Sequence, residues 1–380
     1  MNDFKMEILK QLEEGKITAN EALAMLGQQK PKNEESFKKD TDDFAFSHDG
    51  RERQAGWVEN LMGWVGDVVN DVTQGVSDLD ISANFNDFVS GNYGHFKNIL
   101  QFESSPISQS AKKIILTGKN AAVHVSGYEG NTVQIECAYD ARREDVQVYF
   151  AEENGIYQLI YDEKIMRHLS IKCRLPKVLF EEVYISSKND KVIVDGLVGN
   201  FVHLRTKNDV IQASSIKCKR LITESKNDSI SIWDIHADEI TVDTTNSKII
   251  VEDILAGILR LKTTNGGIKT ARVNAVQEFL STTNAKIKYE ANINSSESWD
   301  GERVFEASTT NGNIVYTVSS GESIKIKAFT INGKINCKCD NLNYSEFSKG
   351  YMSGESVDYG FSGKKKLVKL STTNSTIKII

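Results

Sequence analysis

Asparagines recur along the second half of this chain at a nearly fixed spacing, and this period limits the possible folds more than any other feature. The first five intervals are all 19 residues, and the later ones are 27, 21 and 42, the last being twice 21. A constant period near 20 residues is typical of stacked supersecondary units. The asparagines are Asn189, Asn208, Asn227, Asn246, Asn265, Asn284, Asn311, Asn332 and Asn374.

Alternating apolar residues follow each asparagine, as at Ile230 and Ile232, and a second alternating run such as Leu259 and Leu261 closes each unit. A period of two is typical of a half-buried strand. Asparagine tolerates the left-handed backbone conformation, so we place it at a tight corner. The pattern predicts a mainly β chain: a single-stranded β-solenoid of about 19–21 residues per coil, in which the asparagines form a structural turn ladder.

Composition shifts divide the chain into segments. A small α-helical region is expected before the β-domain, because residues 3–27 carry a helical apolar pattern with a capping box at Thr18. The predicted segments are a helical hairpin (1–28), a polar linker (29–55), an amphipathic helix with an aromatic-rich connector (56–105), an N-terminal cap with the first irregular coils (106–185), and the regular solenoid (186–380), with insertions at 291–303 and 340–363. Glu153-Asn154-Gly155 predicts a hairpin turn within the cap.

The amphipathic helix carries one apolar stripe. Its candidate contact residues are Trp57, Leu61, Trp64, Val65, Val68 and Val72. Such a stripe packs against a core or a partner helix, or it lies on a membrane surface. The opposite face is acidic, which favours packing over binding to anionic lipid.

The two insertions interrupt the repeat, and insertions in repeat arrays emerge as loops that carry contacts. Their candidate contact residues are Trp299, Tyr344, Tyr351 and Tyr359.

No residue pattern indicates catalysis, a cofactor or a metal. Asp190, Asp209 and Asp228 occupy one corner of successive coils beside a row of lysines. We interpret them as a solvent-exposed structural row, with a calcium or glycan site as the alternative, although the glycine-rich calcium repeat is absent. The six histidines form no motif with a nucleophile. We therefore expect a protein that is not an enzyme.

The five cysteines are odd in number and scattered. Cys337 and Cys339 stand two apart on one strand face, which is too close for a comfortable disulfide within a strand. We expect reduced thiols, and no set of His and Cys completes a zinc site.

Charge and hydropathy bear on partners and location. The net charge is −6 and no basic stripe occurs, so nucleic-acid binding is not expected. The N-terminus has no apolar h-region, and no apolar run is long enough to span a bilayer. The expected location is cytoplasmic or peripheral to a membrane, with the cell surface reached by non-classical export as the alternative.

Several motifs resemble a known family. The run Leu175-Pro176-Lys177 and the repeated Thr/Ser-x-Asn coils with Asp195-Gly196-Leu197 between strands look like the putative-adhesin β-repeat family of bacterial envelope-stress proteins. Gly15-Lys16-Ile17-Thr18 resembles the short helical module that precedes this domain in YvlB/LiaX-like members. The resemblance implies a protein of Gram-positive type that is tied to envelope-stress signalling rather than to catalysis.

The combined expectation is a non-enzymatic binding and regulatory protein. The solenoid would be a rigid platform, and the N-terminal helices would engage a membrane-associated signalling protein or the membrane surface, or would self-associate. The alternatives are a surface adhesin or glycan-binding protein and, after that, a β-helix carbohydrate-active enzyme.

Overall fold

The computed structural model describes residues 96–108, 110–291, 301–318, 321–339 and 341–380. These residues form 23 strands in one connected sheet, and none of them is helical. The protein is therefore mainly β, as the alternating pattern predicts. The predicted helical hairpin, the linker and the amphipathic helix lie outside the described residues.

The strands that precede the regular repeat are β1 (Asn98–Glu103), β2 (Ser110–Gly118), β3 (Ala121–Tyr128), β4 (Gln134–Ala141), β5 (Val148–Glu153), β6 (Ile156–Tyr161), β7 (Met166–Pro176), β8 (Leu179–Ser187), β9 (Val192–Asp195) and β10 (Val198–Arg205). Four long strands follow: β11 (Ile211–Glu224), β12 (Ile230–Asp243), β13 (Ile249–Lys262) and β14 (Ile268–Thr282). The last are β15 (Ile287–Ala291), β16 (Gly301–Thr309), β17 (Ile314–Thr317), β18 (Ser323–Thr330), β19 (Ile335–Cys337), β20 (Leu342–Phe347), β21 (Tyr351–Ser356), β22 (Lys364–Thr372) and β23 (Ile377–Ile379).

The strands pair in two rows, one on each side of the asparagine corner. Row A holds the segments that follow the corner and runs β7–β3–β9–β11–β12–β13–β14–β15–β17–β23–β19. Row B holds those that precede it and runs β6–β2–β8–β10–β11–β12–β13–β14–β16–β22–β18. Every neighbour within these rows is parallel, and β11–β14 run through both. The result is a solenoid-like stack of coils.

A shift of 19 residues in sequence moves the chain by one coil, so equivalent residues lie in register. The first residue of each row A segment from β11 to β15 is an isoleucine that pairs with the isoleucine of the adjacent coil, and all of these are buried. Burying each such side chain fully stabilises the fold by about 1.5–3 kcal/mol. This core row consists of Ile211, Ile230, Ile249, Ile268 and Ile287.

A second corner lies in the middle of each long strand and carries the left-handed backbone. Ser215, Asp234, Asp253 and Arg272 have φ of 51°, 53°, 51° and 51°, and Gly196 begins the same row with φ 72°. The ladder asparagines are not among the residues with positive φ, so the left-handed conformation expected at them occurs at this other corner. Aspartate and glycine tolerate that conformation, and the asparagine side chains bond to neighbouring coils instead of to their own turn.

Buried hydroxyl groups tie each coil to the one before it. Thr206 Oγ1 donates to the Asp190 carbonyl at 3.1 Å, and Thr263 Oγ1 donates to the Ser247 carbonyl at 3.1 Å. The partner is 16 residues earlier in both cases. These bonds satisfy carbonyl groups at the asparagine corner that would otherwise be buried without a donor.

Coils at both ends of the stack are out of sequence order. Strands β2 and β3 lie between β6/β7 and β8/β9, although β6 and β7 follow them in the chain. At the other end, β22 and β23 lie between β16/β17 and β18/β19. The repeat spacing suggests that the coils stack in chain order to Ile380. The chain instead returns and inserts its last coil one position inward.

A buried ion pair favours β22 over β18 as the neighbour of β16. Lys366 Nζ on β22 donates to Glu278 Oε1 on β14 at 2.6 Å and to the Tyr289 hydroxyl at 2.7 Å. The residue in register with Lys366 on β18 is Ile324. If β18 occupied the β22 position, the buried Glu278 would lose the lysine amine that bonds to it, and losing one partner of a buried pair costs several kcal/mol.

Antiparallel strands close the ends of the rows. The turn at Asn154 and Gly155, with φ of 52° and 78°, joins β5 to β6, so the hairpin predicted there is confirmed. β4 continues row A beyond β7, and β1 pairs with β4. The insertion at 340–363 contains β20 and β21, which continue row B beyond β18.

Candidate functional site

The asparagine ladder is one continuous chain of side-chain hydrogen bonds along the corner of the stack. Each Nδ2 donates to the Oδ1 of the adjacent coil at 2.7–2.9 Å. In space the order ends Asn311, Asn374, Asn332, because the last coil is inserted inward. Asn120 begins the ladder by accepting from Asn189. Sequence reasoning missed Asn120, since it lies 69 residues before its neighbour and outside the period.

The aspartate row beside this corner caps its own backbone. Asp190, Asp209 and Asp228 each accept from the amide of the next residue, at 3.1, 2.7 and 2.6 Å. Burial raises the pKa of the Asp190 and Asp209 carboxyls, and the neighbouring aspartate raises it further. Within the described residues no group of three or more His, Cys, Asp or Glu side chains could hold a metal ion. The geometry therefore gives these carboxylates a turn-capping role.

A sealed polar cluster lies inside the stack near its β18/β19 end. Glu278, Lys366 and Tyr289 bond to one another in the core, and Lys366 Nζ also lies 4.8 Å from the centre of the Tyr289 ring. Tyr316 stacks on Tyr289 at 5.0 Å between ring centres. Burial raises the pKa of Glu278 and of both tyrosines. All four side chains are shielded from solvent, so no external substrate reaches them.

Exposed apolar side chains are confined to the two ends of the stack. Among the described residues, the large exposed hydrophobic side chains are Ile99, Tyr149, Ile156 and Leu179 near one end, and Phe329, Ile331, Tyr344, Phe347, Val357, Phe361 and Ile380 near the other. None of them lies between residues 180 and 328. Concentrated apolar exposure marks interaction surfaces. The β18/β19 end is therefore the candidate contact site.

The β20–β21 hairpin forms most of this end surface. Tyr344 and Phe347 pack edge to face with ring centres 5.5 Å apart, and they remain 45% and 58% exposed. The loop that follows β21 carries Phe361, which is 95% exposed. Aromatic side chains offer a large contact area at little cost in conformational entropy, so they suit an anchor role in binding.

The other predicted contact residues have different surroundings. Tyr351 is half-buried opposite Phe329 in the β18–β21 pairing. Tyr359 is 8% exposed, and its hydroxyl donates to Glu302 Oε2 at 3.0 Å. The structure thus places Tyr359 in the packing of the insertion. Trp299 and the stripe from Trp57 to Val72 lie outside the described residues.

Two cysteines of this end were not assigned a role by sequence reasoning. Cys337 is the last residue of β19, and Cys339 follows it two residues later; both are half-buried free thiols. Hydrogen bonds from the Cys339 and Tyr344 side chains lower the pKa of Cys337 to about 6. The Cys-x-Cys spacing was the available signal. The pKa of Cys337 also depends on Tyr344, which lies on another strand, so the spacing alone could not predict it.

Comparison with known proteins gives weak likenesses. No family model matches the chain, and no curated protein matches it. A solved structure named "putative lipid binding protein" from Parabacteroides distasonis is 11% identical, with a TM-score of 0.42, and the match covers 75% of this chain and 97% of that one. A "putative adhesin" from Bacteroides fragilis is 12% identical, with a TM-score of 0.32 and coverage of 75% and 98%. A "putative adhesin" from Parabacteroides merdae is 14% identical, with a TM-score of 0.28 and coverage of 75% and 97%.

These TM-scores are all below 0.5, so the likenesses carry no argument about the function of this chain. The YvlB/LiaX-type resemblance and its helical module receive no support from the comparisons. No helix capable of crossing a bilayer occurs in the part of the chain that the structure describes.

Proposed function

We propose that this protein is a non-enzymatic binding protein of the adhesin type, a β-solenoid platform that contacts another macromolecule at a cell surface. The contact is made by the end surface formed by Phe329, Tyr344, Phe347, Val357 and Phe361. The observation that carries this function is the distribution of large exposed apolar side chains, which among the described residues occur at the ends of the stack and not along its regular coils.

The packing of the stack supports a platform role. In-register isoleucine rows, the buried hydroxyl bonds and the asparagine ladder connect every coil to its neighbours. A scaffold held in this way presents a terminal surface with little reorganisation, which lowers the entropic cost of binding.

Catalysis is not part of this function. The groups with the strongest raised pKa values, Tyr289 and Tyr316, are sealed in the core. The Asp190, Asp209 and Asp228 carboxylates are engaged by their own backbone. A catalytic site needs perturbed groups in a cleft that a substrate can enter.

A second candidate function is the regulatory role in envelope stress that the family resemblance implies. The tryptophan-containing stripe at 56–77 favours it, since such a stripe suits a membrane-associated partner or the membrane surface. In that case the protein acts in the cytoplasm or at the inner face of a membrane, and the N-terminal segment that the sequence predicts to be helical carries the contact.

Co-sedimentation of the purified full chain with intact bacterial cells, isolated peptidoglycan and anionic lipid vesicles tests the two functions. We expect wild-type protein to sediment with cells or peptidoglycan. The double variant Phe347→Ser with Phe361→Ser should weaken the affinity about 30-fold, since each anchor contributes roughly 1 kcal/mol.

Tyr149→Ser is the matched control, because Tyr149 is a similarly exposed aromatic residue (51%) at the opposite end. Unchanged binding by the Phe347/Phe361 double variant, or an equal loss in the control, would refute the adhesin-type site. Sedimentation with vesicles alone that is lost on changing Trp57 and Trp64 to Ala would establish the second function instead.

A further inference from the structure

The two rows stop at different levels at the β18/β19 end of the stack. β21 pairs with β18, and β20 pairs with β21, so row B continues for two strands beyond β18. Row A stops at β19, which among the described strands pairs with β23 alone. Neighbouring strands lie about 4.8 Å apart, so row A ends about 10 Å short of row B. We call this space the row A recess.

The aromatic residues of β20 point into this recess. Met352 on β21 is fully buried and stands opposite Ala328, a core residue of β18. Phe347 stands opposite Met352, and Tyr344 stands opposite Gly354, two residues further along β21. Residues directly opposite each other in an antiparallel pair point to the same face of the sheet. Tyr344 and Phe347 thus lie on the core-facing side of row B, where they remain 45% and 58% exposed.

The free edge of β19 forms the floor of the recess. The Lys334 carbonyl and the Lys338 amide are both bonded to β23, each at 3.0 Å. The residues that bond to one neighbour alternate along a parallel strand. The amide and carbonyl groups of Ile335 and Cys337 therefore point away from β23 and into the recess. An edge of this kind is a template for a further strand.

A second copy of this chain has the shape that fills the recess. Consider a two-fold axis that passes through the asparagine corner and bisects the angle between the rows. It exchanges row A with row B and reverses the direction of stacking. The two-strand extension of row B in each copy then enters the two-strand recess of row A in the other. Extension and recess have equal depth, so one closed, isologous contact fills both recesses.

Strand direction and charge agree with this arrangement. Row B strands run toward the asparagine corner and row A strands run away from it, and β20 is parallel to β18 because both intervening pairings are antiparallel. β20 of one copy therefore meets β19 of the other as an antiparallel pair. The outer side of β19 carries the exposed Lys334 and Lys338, and the outer side of β20 carries the exposed Glu346. Opposite charges on paired strands stabilise the pairing.

We propose that this protein forms a two-fold dimer in which β19 of each copy pairs with β20 of the other, and Tyr344 and Phe347 pack against Met352 of the second copy. The inference deepens the proposed function and rests on its end surface, since it assigns Tyr344 and Phe347 to a second copy. Phe329 lies on the outer face of row B and Phe361 on the loop after β21, so both stay outside the dimer. Each dimer then presents the cell-surface contact twice, and two linked contacts bind more tightly than one.

Sedimentation equilibrium of the purified full chain, over a range of protein concentrations and without cells or ligand, tests the dimer. We expect the mass to rise with concentration from that of one chain to that of two. Phe347→Ser should raise the dissociation constant of the dimer about 30-fold, because the two-fold axis brings two copies of this anchor into one interface. The result for the unaltered chain stands even if a variant does not fold.

Phe361→Ser is the matched control, since Phe361 is an exposed aromatic residue of the same end that lies outside the recess. It should dimerise like the wild type. Hydrogen exchange locates the interface: the amides of Ile335 and Cys337 should be protected in the wild-type dimer and should exchange faster in Phe347→Ser. A single-chain mass at every concentration, or an equal loss of dimer in both variants, would overturn the proposal.

The same two variants separate this proposal from the adhesin-type function. If Phe361→Ser binds cells as well as the wild type does, the cell-surface contact is refuted, and the sedimentation result for the dimer is unaffected. If the chain is monomeric and Phe361→Ser still weakens binding to cells, the dimer is refuted and the cell-surface contact stands.

Discussion

The two ends of the coil stack are built from similar parts, but antiparallel strands close both rows at only one of them. At the β6/β7 end, β4 and β1 continue row A and β5 continues row B. At the β18/β19 end, β21 and β20 continue row B, whereas β19 has one partner among the described strands. An unpaired sheet edge exposes backbone donors and acceptors that can pair with the strand of another chain, so proteins usually cover it. The thiol pair and the exposed aromatic residues occur at this less protected end.

Both ends also contain a coil inserted out of chain order, and in each the inserted strand carries a lysine that pairs with a glutamate. Lys113 on β2 pairs with Glu182 on β8, and the Glu182 side chain is 43% exposed. Lys366 on β22 pairs with Glu278, and these side chains are only 2% and 0% exposed. Burial makes the second pair costly to break, so the order of coils depends far more on charge at the β18/β19 end.

The largest expected effect is the loss of the buried pair. Lys366→Met leaves the Glu278 carboxyl in the core without the amine that bonds to it, and it should lower the free energy of unfolding by about 3–5 kcal/mol. Urea denaturation measures this change. Lys113→Met breaks the pair at the other end, whose glutamate side chain is 43% exposed and keeps contact with water when the lysine is lost, and it should cost about 1 kcal/mol.

A compensating variant separates the charge from the packing. Glu278→Leu combined with Lys366→Met removes both charges and should restore most of the lost stability. If the double variant is as unstable as Lys366→Met alone, the lysine acts through its shape rather than its charge.

The next effect is a pH dependence of the free energy of unfolding, and it arises at the β6/β7 end. His124 on the inserted strand β3 is buried beside Lys172, which itself pairs with Glu136. Burial, assisted by Lys172, lowers the pKa of His124 from 6.5 to about 3. The folded protein thus binds fewer protons than the unfolded chain between these values, and the stability present above pH 6.5 is lost as the pH falls toward 3. The slope is about 1.4 kcal/mol per pH unit.

Urea denaturation at several pH values measures this slope, and His124→Gln should reduce it. Hydrogen exchange should then show that acid opens β3 and β7 before β22 and β23, because the sequence contains no histidine after His236. Earlier opening of β22 and β23 would contradict a role for His124.

The smallest effect concerns the asparagine ladder. Asn265 donates to Asn246 and accepts from Asn284, whereas Asn332 at the end of the ladder only donates, to Asn374. Asn265→Ala should therefore cost about 1 kcal/mol, and Asn332→Ala about half of that. Thermal denaturation compares the two. Equal costs would mean that the side chains stabilise their own turns and not the ladder.

Much of the regular region follows from local sequence. The 19-residue period, the alternation at Ile230 and Ile232 and the turn at Asn154-Gly155 all report on neighbouring residues, and the strands and the hairpin occur where these patterns predict them. The left-handed corner escaped prediction because its residues, from Ser215 to Arg272, share no side-chain type.

The end regions could not be predicted in this way. Asn120 joins the ladder, and Tyr344 reaches Cys337, only because distant segments pack side by side. The Cys-x-Cys pair was visible in the sequence. The lowered pKa of Cys337 was not, since one of the groups that lower it, the Tyr344 side chain, lies on another strand.

The sequence by itself determined that the chain forms β-coils of about 19 residues with an asparagine at one corner, because alternation and turn preference are local properties. The order in which those coils stack was decided only by the tertiary structure. Coils of one repeat present nearly equivalent edges, and β22 rather than β18 brings a lysine amine to the buried Glu278. A long-range contact of that kind produces no periodic pattern in the sequence, so it could not be predicted from the repeat.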